Sequence, residues 1–212
     1  MNPYRPEIGM PLSEVDTPSL ILDLDAFERN LDRMDASLAG KSIKIRPHAK
    51  SHKCPEIALA QIKRGAVGVC CQKVSEAEAM VEGGVPDVLV ANEAVGAVKL
   101  RRLAALAKRA RVAVCADDAG NVAALDEAAR AGGVRLDVLV EVNVGANRCG
   151  VEPGEPAVRL AQAIARSKHL RFAGLQAYQG GAQHLRKVEE RRTAIEAACG
   201  RVRQTTDLLA KA

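Results

Sequence analysis

The segment Arg46-Pro47-His48-Ala49-Lys50-Ser51-His52-Lys53 sets lysine, histidine and arginine side chains directly behind a short β-branched run. A lysine just past a buried strand is partly desolvated, and flanking cations push it further toward its neutral amine. That form attacks aldehydes, so Lys50 is a candidate Schiff-base residue and Lys53 its competitor. A cluster of this kind is also what an ordinary solvated loop looks like, and the motif does not decide between the two. Glu141 raises a different question, because it lies in Asp137-Val138-Leu139-Val140-Glu141-Val142-Asn143, a run that reads as a strand buried on both faces. An unpaired carboxylate there would cost roughly several kcal/mol, so a cation should stand beside it, and Arg148 is the obvious one. The alternative is a strand end that reaches solvent.

The elements that must position these residues alternate along the chain. Strands are predicted at Ile43 to Arg46, Val67 to Cys71, Val88 to Ala91, Val112 to Ala116, Leu136 to Val142 and Phe172 to Ala177. Ala-rich amphipathic stretches fall between them, near Pro55 to Arg64, Ser75 to Glu82, Val95 to Lys108, Ala119 to Ala131 and Pro156 to Ser167. Such alternation is the pattern of a parallel sheet covered by helices. Gly83, Gly84, Gly132 and Gly133 sit just past helix ends, where a residue without a Cβ is easily accommodated. An earlier pair, Ser19 to Asp23 and Asp25 to Leu38, adds a strand and a helix ahead of the series, and a long helix from Leu185 to Lys211 ends it. Residues 1–18 read as an N-terminal arm, and residues 19–212 as the main domain.

Spacing does not separate an open doubly wound sheet from part of a β/α barrel, which needs eight strands and typically ~250 residues. The polar residues favour the barrel. Lys50, Gln72, Asn92, Asp117, Arg148 and Tyr178 each follow a different predicted strand, at the end where barrel active sites are built.

Composition narrows the classes. With 212 residues and 48% of them hydrophobic, the chain can bury a substantial core. The net charge of +5 and pI near 9.0 come from acids and bases mixed throughout, and aromatic residues are only 2%, so nucleic-acid binding has no motif to support it. No run approaches the ~18 apolar residues of a membrane span, and the start lacks the pattern of a signal peptide, which predicts a cytoplasmic protein. Cys54, Cys70, Cys71, Cys115, Cys149 and Cys199 show no C-x-x-C spacing, so reduced thiols are expected, with neither a disulfide framework nor a zinc site.

Several separated motifs carry a resemblance. Thr17-Pro18-Ser19-Leu20-Ile21-Leu22-Asp23-Leu24-Asp25, followed by Arg46-x-His48-x-Lys50-x-His52-Lys53, resembles the opening of the alanine-racemase-fold enzymes that include D-threonine aldolase and eukaryotic-type D-serine dehydratase. The stretch from Gly65 to Glu78 and the segment Leu175-Gln176-Ala177-Tyr178-Gln179-Gly180 are most similar to the 3-hydroxy-D-aspartate aldolases of that group. Gly145-Ala146-Asn147-Arg148-Cys149-Gly150 lies between them in the same order.

The resemblance implies a (β/α) barrel of the alanine racemase N-terminal type, incomplete with about six of its eight strands, holding pyridoxal 5'-phosphate. Lys50 would carry the cofactor, with His48 close to it and Gln72 lining the site. Arg148 would donate to the cofactor's phenolic oxygen, Glu141 would steady that arginine, and Tyr178 would face the ring nitrogen. A tyrosine cannot leave a full proton on that nitrogen as a carboxylate would, so the electron sink would be weaker. His184, just after the strand bearing Tyr178, is a candidate to face substrate. The implied reaction is retro-aldol cleavage of a D-3-hydroxyamino acid to glycine and an aldehyde. The alternatives are a dehydratase on the same substrates, and a non-catalytic cofactor carrier or inactive fragment. Enzymes of this kind are about twice as long and tend to be homodimers. Their phosphate-binding loop, C-terminal β domain and divalent-metal ligands have no counterpart in this sequence, so no metal ligand is assigned. The 212-residue chain is therefore expected to hold the cofactor weakly and to turn over little.

Overall fold

The computed structural model describes residues 6–212, and the first five residues of the arm lie outside them. The chain falls into two compact units, Met1–Ile43 and Lys44–Ala212, where the sequence suggested a boundary at residue 18. The first holds a 3-10 turn at Leu12–Glu14 and helix α1, Leu24–Leu38. Asp23 starts α1 by accepting the N–H of Ala26 at 2.8 Å, a cap that contributes ~1 kcal/mol. Ser19 to Asp23, expected as a strand, has no strand partner among the described residues and leads directly into this cap.

The second unit is built on five parallel strands: β1 (Val69–Cys71), β2 (Asp87–Glu93), β3 (Arg111–Ala116), β4 (Leu136–Glu141) and β5 (Leu170–Gln176). Helices α2 (Pro55–Lys63), α3 (Val74–Glu82), α4 (Ala97–Leu106), α5 (Ala119–Gly132) and α6 (Glu155–Arg166) alternate with them, and α7 (Val188–Leu209) follows. The strands are neighbours in strict chain order, 1-2-3-4-5. A doubly wound sheet reverses its order at a switch point, whereas a barrel does not. The helices therefore cover one face and leave the other as a barrel interior.

The strand sequences carry that asymmetry. Alternate residues such as Val69, Val88, Val90, Val114, Val138 and Val140 pack against Ala77, Met80, Leu103, Leu125 and Ile164 of the helices in the main core. The opposite face carries a smaller cluster of Leu89, Ala113 and Cys115, with Cys70, Ala91 and Leu139 against it. This double burial is why the strands read as continuous apolar runs.

The strand expected at Ile43 to Arg46 is reduced to an isolated bridge, His48 to Cys70, beside β1. Three backbone bonds hold it there: Val67 N–H to Ile45 O, Cys70 N–H to Pro47 O, and Ala49 N–H to Cys70 O at 2.7 Å. Proline at 47 has no N–H to give, so the ladder stays incomplete.

Below the small inner cluster, an ionic belt crosses the N-terminal ends of the strands. Arg46 meets Asp87 at 2.8 Å, Arg111 reaches Asp87 and, at 3.0 Å, Asp137, and Arg171 pairs with Asp137 through two bonds of 2.6 and 2.5 Å. Burial alone would raise the Asp137 carboxyl, but the hydrogen bonds from Arg171 and Arg111 outweigh it and hold it below the ordinary value. Strand β1 contributes no charge to the belt. Its neighbour Gly68 lies under the guanidinium of Arg46, and a Cβ there would come within 2.4 Å of that group and 2.5 Å of Asp87 O.

Candidate active site

At the opposite, C-terminal ends of the strands, the side chains singled out from the sequence fall into two groups. The first surrounds Lys50. The bridge at His48 ends the extended segment, and Lys53 N–H bonds back to Ala49 O at 2.8 Å, closing a single turn that leaves Lys50 exposed. Lys53 itself adopts a left-handed φ of 52° at the end of that turn. The Lys50 N–H donates to His48 Nδ1 at 3.3 Å. Burial first, and the nearby Lys50 charge second, lower the His48 pKa, so a neutral imidazole sits beside the amine. Gln72, at the end of β1, also bonds His48, and its own N–H donates to Glu76 at 2.8 Å. Asn92 of β2 donates to the Gln72 carbonyl, linking two strand ends.

The second group centres on Glu141, which is only 3% exposed. A parallel bridge, Val142 to Val151, folds the loop after β4 back on itself, with Asn143 N–H bonded to Val151 O and Val151 N–H to Glu141 O. Within the loop, the Asn143 carboxamide accepts the N–H groups of Gly145 and Asn147. Asp117, at the end of β3, accepts the Gly150 N–H at 2.9 Å. This folding returns Arg148 to within 3.9 Å of Glu141 Oε1 and sets its guanidinium 5.0 Å from the centre of the Tyr178 ring. The stack is a cation–π contact between two strand ends. Gln179 bonds the Val144 carbonyl at 3.2 Å and fastens the same two loops together.

Three features of this group escape the sequence. The Tyr178 hydroxyl accepts a 2.6 Å bond from Gln183, so it already has a partner. A register shift in β2, between Val90 and Glu93, sets Glu93 opposite Cys115 of β3. There Glu93, Glu141 and Cys149 each bring an acid or thiol atom within 4.8 Å of one another. A bulge re-aims side chains in a way that no local pattern announces, although a carboxylate ending a buried apolar strand was itself a signal.

Burial, and then Glu93, raise the Glu141 pKa to about 7, while Cys115, Arg148 and Cys149 act in the opposite sense. Glu141 thus lies beside Arg148 with a carboxyl that titrates near neutral pH. Burial pushes the Cys115 and Cys149 thiols up as well. His184 closes a 3-10 turn at Gly180–His184, is exposed, and makes no side-chain hydrogen bond or ion pair among the described residues.

Known proteins are similar to this chain in sequence and fold. Residues 22–211 match the family model for the alanine racemase N-terminal domain. The chain is 50% identical over 183 residues to a D-threonine aldolase of an Arthrobacter species, covering 86% of this chain and 48% of that protein. It is 46% identical over 203 residues to a 3-hydroxy-D-aspartate aldolase of Paracoccus denitrificans, covering 95% and 52%. A crystal structure of D-threonine aldolase from Filomicrobium marinum superposes with a TM-score of 0.92 at 56% identity, over 94% of this chain and 54% of that one. The chain spans about half the length of the curated relatives it matches. Sequence and fold agree: five in-order parallel strands with their polar residues at one rim belong to an incomplete α/β barrel, and the chain is a member of the alanine racemase N-terminal domain family.

Proposed function

We propose that this chain forms the barrel part of a pyridoxal-phosphate-dependent lyase that cleaves D-3-hydroxyamino acids to glycine and an aldehyde, with Lys50 carrying the cofactor. The observation that carries the reading is the pairing of two rim groups: an exposed lysine beside a neutral imidazole, and an arginine held between Glu141 and Tyr178. The donor set fits the cofactor, since an amine suits its aldehyde, a guanidinium its phenolic oxygen, and a phenol its ring nitrogen. When bound, the cofactor supplies the electron sink that lets a bond at the substrate's Cα break.

The protein's own residues have the tasks of binding and orienting. Lys50 provides the amine on a turn pinned by the Ala49–Cys70 hydrogen bond, and His48, lacking a charge, adds no second cation beside it. Arg148 is positioned by Glu141 and by the ring of Tyr178, and its cation would favour negative charge on a cofactor oxygen held beside it. Tyr178, whose hydroxyl accepts from Gln183 and still has its own O–H to donate, would offer the ring nitrogen a hydrogen bond without the charge of a carboxylate. Gln72 lines the Lys50 side of the rim, and His184 is the substrate-facing candidate on the far side.

Product identity is the test, rather than rate. Incubation with pyridoxal phosphate and D-threonine or D-3-hydroxyaspartate should release glycine with acetaldehyde or glyoxylate. A keto acid with ammonia would overturn this reading in favour of elimination.

A further inference from the structure

Glu93 lies outside every role assigned above, yet it ends β2 in a cluster with the buried Glu141 and with Cys149. Its Oε1 is sealed from solvent and has no hydrogen-bond partner. An acidic oxygen of Glu93 and one of Glu141 lie within 4.8 Å. The groups facing this pair are Cys115 from β3, and Arg148 and Cys149 from the loop after β4, with Cys70 of β1 beside Cys115. Burial keeps the thiols protonated, so they bring no charge, and among the described residues the cation beside the pair is Arg148, at 3.9 Å and half-exposed. Two like charges this close in a largely dry site, with a single partly solvated counter-charge, are not both sustained.

We propose that Glu93, set against Glu141, keeps the proton on Glu141 at neutral pH, so that the pair presents a single negative charge to Arg148. Glu93 is then a positioning residue: by deciding how much charge Glu141 carries, it sets how firmly Glu141 holds the guanidinium. Its relevance to catalysis rests on the cofactor reading of Arg148, but the protonation of the pair does not.

Carboxyl-carbon NMR of glutamate-labelled protein without cofactor separates the two questions. The wild type should show one glutamate titrating near neutral pH, in line with the value of about 7 for Glu141. That signal should vanish in E141Q and move to lower pH in E93Q, where the competing charge is gone and an amide can donate in its place. The wild-type titration needs no variant, so poor folding of either variant leaves the test intact. The proposal is overturned if no glutamate titrates above the ordinary carboxylate range, or if E93Q leaves the midpoint unmoved. It is also overturned if micromolar Zn2+ removes the titration in the wild type but not in E93Q, since the site would then hold a cation between two ionised acids. Failure of the cofactor to attach at Lys50 would leave all of these outcomes unchanged.

Discussion

Glu141 and Arg148 stand seven positions apart and meet at 3.9 Å because Gly150 presses against the backbone of the strand it has just left. Gly150 has a φ of 98°, and a Cβ on it would come within 2.7 Å of Asn143 N and 2.8 Å of Val142 C. Neither atom can move without breaking the Val142–Val151 bridge.

Gly150→Ala should therefore reopen the loop while leaving the distant core in place. The expected result is at least about tenfold weaker binding of pyridoxal phosphate, or ~1.4 kcal/mol, by absorbance titration, with an unchanged far-ultraviolet spectrum. Unaltered binding would show that the bridge does not position Arg148.

Asp137→Asn should weaken the ionic belt at the other end of the barrel. Asp137 is 5% exposed and bonded by both Arg111 and Arg171, so its loss removes the charged partner of Arg171 and leaves Arg111 with Asp87. A cost on the order of 1–2 kcal/mol is expected in urea denaturation at neutral pH, since both guanidinium groups are half-exposed. The Asp137 pKa is lowered on folding, so its contribution is present above the unfolded value near 3.8 and is lost as pH falls through the lower folded value. Acid should accordingly narrow the gap between wild type and variant.

Much of this was legible in the residues. The helices fell within a few positions of their predicted spans because Ala-rich stretches bounded by strands leave few alternatives, and Lys50, Arg148 and Tyr178 stood out as polar residues closing apolar runs. The belt was not legible, because Arg46, Asp87, Arg111, Asp137 and Arg171 are each unremarkable strand-end charges until the register aligns them. Glu93 was missed for a related reason, since only the β2 register shift sets it opposite Cys115. The first strand was over-read because Ile43 to Arg46 has strand-like composition, but Pro47 cannot complete its ladder.

Glu141 gives stability the opposite pH dependence to Asp137. Its folded pKa of about 7 lies above the ordinary value of 4.5, so the folded state binds more protons between the two. Stability from this group is full below about 4.5 and falls as pH rises toward 7. Thermal denaturation from pH 4.5 to 7.5 should show that decline in the wild type and a flatter profile in Glu141→Gln. Parallel profiles would mean that Glu141 titrates in its ordinary range.

The identity of the reactive amine is the central claim, and borohydride reduction of the protein with pyridoxal phosphate, followed by peptide mapping, tests it most directly. The pyridoxyl label should fall on Lys50 and disappear in Lys50→Ala. A label on Lys53, one scattered over surface lysines, or none at all would contradict the account.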